Sequence, residues 1–534
     1  MPQTGAWACP ATQTYLCSPK PPGAQPWHTA GQQRLRTLPL PSSRQCLFPT
    51  VPQAFSALRH WLTPVLIFLL ILLVSACAFM RKYLGPVTLD QVVFHLQYGG
   101  LDYADPRMIS RALRYLFGSV LLAALATWAL RRISLRLQRG LWLLLLGGAA
   151  FSVSATVDDA CDDAQADAMA QRYVDPSAQQ FEQAGPAPDV LIVFIESLDE
   201  RYAEPRLAHG PALTDLADWR ARGQRFGAMR TLGGSSWTVG GLFSALCGVP
   251  LQPVGLMSRH ALEYSTRFFD GGACLTDVLA RQGWELSFYG GASLKFAGKG
   301  LFMSKHQVAR RFGREQWHGQ GVEVPGEGWG LLDAELAEEA WTDMQRPRDG
   351  DKPRASLLLT VNTHGPSGTA DPGCGQSEDG ELSADEQMAR ALACTDHVVA
   401  RLARRFASQA DGRRKLVWIM GDHVGPTPLL FDGTDEQWRN RSLFHSLARF
   451  DGQGRPELGP GTGQRSFSHL DVLPTLAEAL GLRWQPQPHR LGLGVSLLAP
   501  GQPATLLEQQ GYERSNAQLA CPSPLFHRLW VGRS

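Results

Sequence analysis

Two kinds of apolar pattern divide the chain. Before about residue 158, apolar positions come as long uninterrupted runs; beyond Ala187 they come as short β-branched runs separated by stretches of helical spacing. Trp61 to Met80 (WLTPVLIFLLILLVSACAFM) holds twenty residues without a charge, followed by Arg81 and Lys82, a length and composition that fit one bilayer crossing. A second crossing is predicted over 113–130, with Arg114 snorkelling toward the interface, and a third over 140–157, built from smaller residues. A buried helix of a soluble protein is the alternative for each run.

Basic residues between the runs set the orientation. Residues 1–60 carry five Lys or Arg and no acid, and the connector RRISLRLQR carries four Arg and no acid, so both are expected on the cytoplasmic side. The stretch from Asp158 to Asp189 carries eight acids against one Arg and is expected outside. Arg81, Lys82, Arg107 and Arg111 run against this scheme, partly offset by Asp90, Asp102 and Asp105. Residues 1–60, rich in Pro, Gln, Ser and Thr near their start and without hydrophobic periodicity, read as a disordered cytoplasmic tail. The membrane domain is then 61–157, with an external linker over 158–187.

From 188 the short runs Val190–Ile195, Leu286–Tyr289, Leu357–Val361 and Leu416–Met420 read as strands buried on both faces. Helical candidates lie between them: Ala212–Arg222, Thr276–Gln282 and Gln387–Phe406. The alternation predicts a doubly wound, mostly parallel α/β sheet, whose ligands gather beyond the carboxyl ends of the strands.

Composition narrows the function. Among 534 residues the net charge is only +2, which argues against a nucleic-acid binder held by a globally basic surface. Six cysteines fall in the external part, an even number that permits disulfides in an oxidising compartment; Cys247 with Cys274 and Cys374 with Cys394 are the expected pairs on short separation. No Cys/His spacing of a zinc finger occurs.

The strand ends carry the candidate chemistry. VLIVFI runs into Glu196, LLLTVNT into His364, and LVWIMG into Asp422 and His423. Any one of these could be a cap or a satisfied polar residue; together they describe a carboxylate and imidazole site for a divalent cation. Thr238, in GGSSWTVGG, offers a hydroxyl at the start of a helical run, where it is either a nucleophile beside amides that hold a phosphate or an ordinary N-cap. His469 either faces substrate or caps the next helix, and His364 either does the same or packs on Pro366. Only seven Lys accompany 44 Arg, yet Lys295, Lys299 and Lys305 cluster around FAGKG, as a phosphate-binding group or a solvated loop.

FIES at Glu196, SSWTVGG at Thr238, FAGKG, WGLLD at Trp329, NTHGP at His364, GDHVGP at Asp422 and SHLDVLPTL at His469 follow one order over roughly 300 residues. In this order the chain resembles the alkaline phosphatase superfamily, in the branch of lipoteichoic acid synthases, phosphoethanolamine transferases and phosphoglycerol transferases. The resemblance implies an alkaline phosphatase-type fold and a periplasmic, sulfatase-like catalytic domain over 188–534, anchored in the bacterial inner membrane. It implies metal ligands Glu196, Thr238, Asp422 and His423, with Thr238 also the nucleophile, and a divalent ion that could be Mn, Mg or Zn. It further implies catalytic or substrate-contacting roles for His364 and His469, and head-group binding by Lys299 and Lys295. The activity it implies moves phosphoglycerol from phosphatidylglycerol to a periplasmic glucan through a threonine intermediate, releasing diacylglycerol. Phosphoethanolamine transfer, another sulfatase-like phosphodiester reaction and an inactive scaffold remain alternatives, although no Cys-x-Pro-x-Arg or Ser-x-Pro-x-Arg sequence of a true sulfatase stands at the nucleophile.

Overall fold

The structure is a computed structural model that describes residues 51–83, 106–154, 169–204, 212–252, 266–325, 328–365, 367–374, 382–425, 440–457, 461–501, 503–520 and 523–532. Residues up to Arg59 form one unit, described only as the start of a helix, and His60–Ser534 form a second. Among the described residues three helices come first: α1 (Val51–Tyr83), α2 (Pro106–Leu130) and α3 (Leu135–Ser154). Among the described residues two stretches are long and apolar enough to cross a bilayer, Leu62–Met80 and Ile109–Leu130. The helix α3 corresponds to the third expected crossing but begins five residues earlier, and 155–157 lie outside the described residues. Residues 51–60, expected in the disordered tail, belong to α1; the rest of that tail lies outside the described residues.

Eight strands form the central sheet: β1 (Asp189–Ile195), β2 (Gln224–Arg230), β3 (Glu285–Gly290), β4 (Arg310–Phe312), β5 (Arg354–Leu359), β6 (Lys415–Gly421), β7 (His445–Phe450) and β8 (Gly461–Ser468). Their spatial order is β4-β3-β5-β1-β6-β7-β2-β8, and only β7 runs antiparallel to its neighbours. Alternation along β1 explains the layers. Val190, Ile192 and Phe194 enter one core with helices α4 (Thr238–Cys247), α5 (Leu275–Arg281) and α8 (Val472–Ala479). Leu191, Val193 and Ile195 enter the other with α6 (Asp333–Met344) and α7 (Ala384–Ala407). Every residue of β1, β5 and β6 is buried, as continuous apolar runs covered by helices on both faces require.

Register places the functional ends level with one another. Phe194 pairs with Leu359 and Ile195 with Gly421, so the residues that follow β1, β5 and β6 leave the sheet at one edge. Both expected disulfides are present: Cys247 joins Cys274, tying the end of α4 to the start of α5, and Cys374 joins Cys394 on α7.

The expected domain boundary at 188 requires correction. Met169 is buried in the first core, and Gln180–Gln183 pairs antiparallel with Leu482–Gln485, so 169–187 belongs to the folded domain rather than to a linker. The third predicted strand is shifted, because β5 ends at Leu359 and Thr360 begins the site loop.

Candidate functional site

Glu196 stands one residue beyond β1 and is 3% exposed. Its Oε2 accepts a hydrogen bond from Thr238 Oγ1 at 3.1 Å and its Oε1 one from Ser197 Oγ at 2.8 Å, while His423 Nε2 lies 3.3 Å from Oε1. Loop residues after β5 fix the acid from behind: Thr360 Oγ1 accepts its main-chain N–H at 3.0 Å, and the Thr363 hydroxyl donates to its carbonyl at 2.5 Å. Ser197 takes φ +56°, a left-handed step uncommon for a side-chain-bearing residue. That step aims its N–H at Asp422 Oδ1, 2.8 Å away.

Asp422 follows β6 and is fully buried. Its Oδ1 accepts from the amides of Ser197 and His423 (2.7 Å), whereas Oδ2 has no hydrogen-bond partner among the described residues and faces His423 Nε2 at 3.7 Å. Burial and the neighbouring Glu196 charge push the Asp422 carboxyl well above the usual range. Glu196 moves the other way: burial alone would raise it, but the imidazoles of His364 and His423 hold it below the ordinary carboxylate value. For His423, burial is outweighed by the Asp422 and Glu196 carboxylates, and its pKa rises to about 9.

Thr238 is the first residue of α4, and Trp237, which makes no side-chain cap, holds the N-cap position. The capping alternative for Thr238 therefore fails, since its hydroxyl reaches across to Glu196. Glycine explains how the helix comes so close. A Cβ at Gly241 would lie 2.0 Å from the Asp422 carbonyl oxygen, so α4 rests directly on the loop that carries Asp422.

His469 lies at the end of β8 with Nε2 2.6 Å from the Asp422 carbonyl oxygen. Burial lowers its pKa to about 4, so the ring is neutral at pH 7. With Nε2–H donating to that carbonyl, Nδ1 carries the lone pair, and Nδ1 is buried without a partner. Ser468 rather than His469 caps the turn that leads into α8.

His364 faces Trp329, their ring centroids 4.1 Å apart, and Trp329 meets the edge of Phe296 at 5.3 Å. Its Nδ1 lies 2.8 Å from the Gly365 carbonyl; Pro366, the alternative packing partner, lies outside the described residues. Lys299 is 3% exposed, its Nζ donating to the Phe296 carbonyl at 3.2 Å and lying 4.7 Å from the centre of that ring. Burial lowers its pKa to about 8, with the Glu196 and Glu315 charges opposing the shift. Lys295 is exposed, and its backbone N–H donates to Ser293 Oγ at 3.1 Å.

These positions fit a divalent cation. One ligand atom from each of Glu196, Asp422 and His423 lies within 4.8 Å of the others, all three residues are buried, and Asp422 Oδ2 accepts no hydrogen bond among the described residues. Two carboxylates and an imidazole suit zinc or manganese. Two further clusters, Cys274/Asp277/His306 and Asp371/Cys374/Cys394, spend their sulfurs on disulfides. Two further contributors, Ser197 and the Trp329 ring, stand inside the motifs FIES and WGLLD but were given no role from the sequence. Apart from its motif, Trp329 is marked only as a large aromatic in a glycine-flanked turn (GWGLLD), and a serine beside an acid does not announce a left-handed backbone step.

A hydroxyl, two carboxylates and imidazoles gathered at one edge of a helix-covered sheet place the chain among α/β proteins whose sites lie beyond the carboxyl ends of the strands. It belongs to the sulfatase family, which matches residues 188–482, more than half of the chain. Among curated relatives, phosphoglycerol transferase I of Xanthomonas campestris pv. campestris is 28% identical over 500 residues, covering 89% of this chain. The chain spans 66% of that relative's length. Among solved structures, an alkaline phosphatase superfamily protein from Vibrio parahaemolyticus aligns with a TM-score of 0.47 and 18% identity, covering 64% of this chain and 79% of its own. The lipoteichoic acid synthase LtaP from Listeria monocytogenes aligns with a TM-score of 0.46 and 14% identity, covering 62% and 81%.

Proposed function

We propose that the chain is a membrane-anchored, metal-dependent transferase that moves phosphoglycerol from phosphatidylglycerol to a hydroxyl of a periplasmic glucan, releasing diacylglycerol. The observation that carries this reading is the Thr238 hydroxyl held 3.1 Å from Glu196, in a site where the buried Oδ2 of Asp422 accepts no hydrogen bond among the described residues. The choice of phosphoglycerol rests on the similarity, over 89% of the chain, to proteins named phosphoglycerol transferase I.

Thr238 Oγ1 bonds to the phosphorus as the bond from phosphorus to the diacylglycerol oxygen breaks, and a glucan hydroxyl then displaces Thr238 in the same way. Glu196 is placed to accept the Thr238 proton, since the two already share a hydrogen bond. His364, set against Trp329, donates a proton to the leaving oxygen and recovers one from the incoming hydroxyl. Lys299, charged below about pH 8, supplies a positive point charge for the phosphate. His469 keeps the Asp422 loop in place through the carbonyl it binds. A divalent ion held by Glu196, Asp422, His423 and the Thr238 oxygen would neutralise phosphoryl charge and lower the pKa of that hydroxyl. In this reading three crossings leave the N-terminus in the cytoplasm and the catalytic domain in the periplasm of the inner membrane.

The test is a product assay on the full chain in lipid, with phosphatidylglycerol labelled in its head-group glycerol and a glucan acceptor. We expect label on the glucan, an equal amount of diacylglycerol, and loss of both in Asp422→Asn. Transfer from phosphatidylethanolamine in preference to phosphatidylglycerol would overturn the donor assignment.

A further inference from the structure

Between α1 and α2 lies a cavity of about 430 Å³ lined by Pro64, Phe68, Val120, Ala123, Ala124, Thr127, Trp128 and Arg131. Its walls are apolar for most of their length and polar at one end. We propose that this groove binds one anionic phospholipid, with an acyl chain along Phe68, Val120 and Ala124 and its phosphate at Arg131 and Arg132. The inference rests on the reading that α1 and α2 cross a bilayer.

Length supports a single lipid in one leaflet. From Val120 to Arg131 a helix rises about 16 Å, close to the half-thickness, about 15 Å, of a bilayer's hydrocarbon core. Small side chains make the room: Ala123 is buried against α1 in a core with Ile67, while Ala124 lies exposed on the groove. At the polar end Thr127 Oγ1 is buried without a hydrogen-bond partner. Trp128 is 60% exposed at the level where amphipathic rings favour the interface, and the Arg132 guanidinium lies 5.7 Å from the centre of its ring.

Charge selects the head group. Arg131, Arg132, Arg136 and Arg139 fall within nine residues that contain no acid. Among the described residues none of the four pairs with a carboxylate, and a cluster of arginines at the end of an apolar helix is the sequence-readable mark of an anionic lipid site. The orientation proposed above puts this end in the cytoplasmic leaflet, away from the catalytic domain. The bound lipid is therefore distinct from the donor.

Native mass spectrometry of the full chain, equilibrated with equal amounts of phosphatidylserine and phosphatidylcholine, tests the site without offering the proposed donor. We expect one retained phosphatidylserine, favoured over phosphatidylcholine by roughly thirtyfold, about what two arginines near a head group supply. Arg131→Gln with Arg132→Gln should abolish the preference, while Arg136→Gln with Arg139→Gln, the same change of charge on the following turns, should keep it. Ala124→Trp, which fills the groove and leaves all four arginines, should abolish retention. Equal retention of both lipids by the wild type, an undiminished preference in the Arg131/Arg132 variant, or displacement by soluble glycerophosphoserine would overturn the proposal. Recovery of the protein in the soluble fraction after an alkaline wash would instead sink the membrane reading, and the lipid site with it.

Discussion

At the scale of single residues, proton balance decides how the site responds to pH. The folded, metal-free protein holds His423 at about 9, above the ordinary value of 6.5, so the ring is protonated at pH 7.5. A metal needs the neutral imidazole, and binding must release that proton. Calorimetric titration of the metal-free full chain in buffers of different ionisation enthalpy should show proton release at pH 7.5, and affinity rising with pH until about 9. Binding without proton release would remove His423 from the ligand set. Lys299 makes the opposite case. Its folded pKa of about 8 lies below the ordinary lysine value of 10.5, so the cost of burying the charge is fully present below pH 8 and is relieved as pH rises from 8 toward 10.5. Lys299→Met should therefore stabilise the fold by about 3 kcal/mol at pH 7, with the gain fading above pH 10 in chemical denaturation, while transfer activity falls. Glu196, Asp422 and His423 were legible in sequence because each directly follows an unmistakable buried strand. The contact between Trp329 and His364 was not, since the two are 35 positions apart and only the fold brings the rings together.

At the scale of elements, α4 and its contacts set the precision of the site. Gly241→Ala would drive a Cβ into the Asp422 carbonyl oxygen. Such a clash costs about 1–3 kcal/mol of stability, and moving Thr238 by about 1 Å would cost roughly a hundredfold in rate. Activity should thus fall far more than the denaturation midpoint; equal and small effects would show that the contact does not position Thr238. The Cys247–Cys274 bond closes a loop with a sequence separation of 27. Replacing both cysteines by serine should cost about 3 kcal/mol in equilibrium unfolding. The central strands were readable because burial on both faces makes them continuously apolar. The strands β2 (QRFGAMR), β7 (HSLARF) and β8 (GTGQRSFS) were not, because their polar residues interrupt the run. What makes β7 a strand is its pairing with β6, from Lys415↔Phe450 to Met420↔His445, a long-range match without a local signal.

For the whole molecule, topology and chemistry must agree, since the proposed transfer from a phospholipid to a periplasmic acceptor requires the domain after α3 to lie outside. A reporter active only in the periplasm should work when fused after Gln183 and fail when fused at Arg136; the reverse would overturn the orientation drawn from the basic residues. The central claim is that Thr238 carries the phosphoglycerol group between donor and acceptor, and peptide mapping tests it most directly. The full chain is incubated in lipid with head-group-labelled phosphatidylglycerol and no acceptor, then digested and mapped by mass spectrometry. We expect one phosphoglycerol group on Thr238, absent in Thr238→Ala and discharged when a glucan is added. Label on Ser235 or Ser236, or transfer that survives Thr238→Ala, would contradict it.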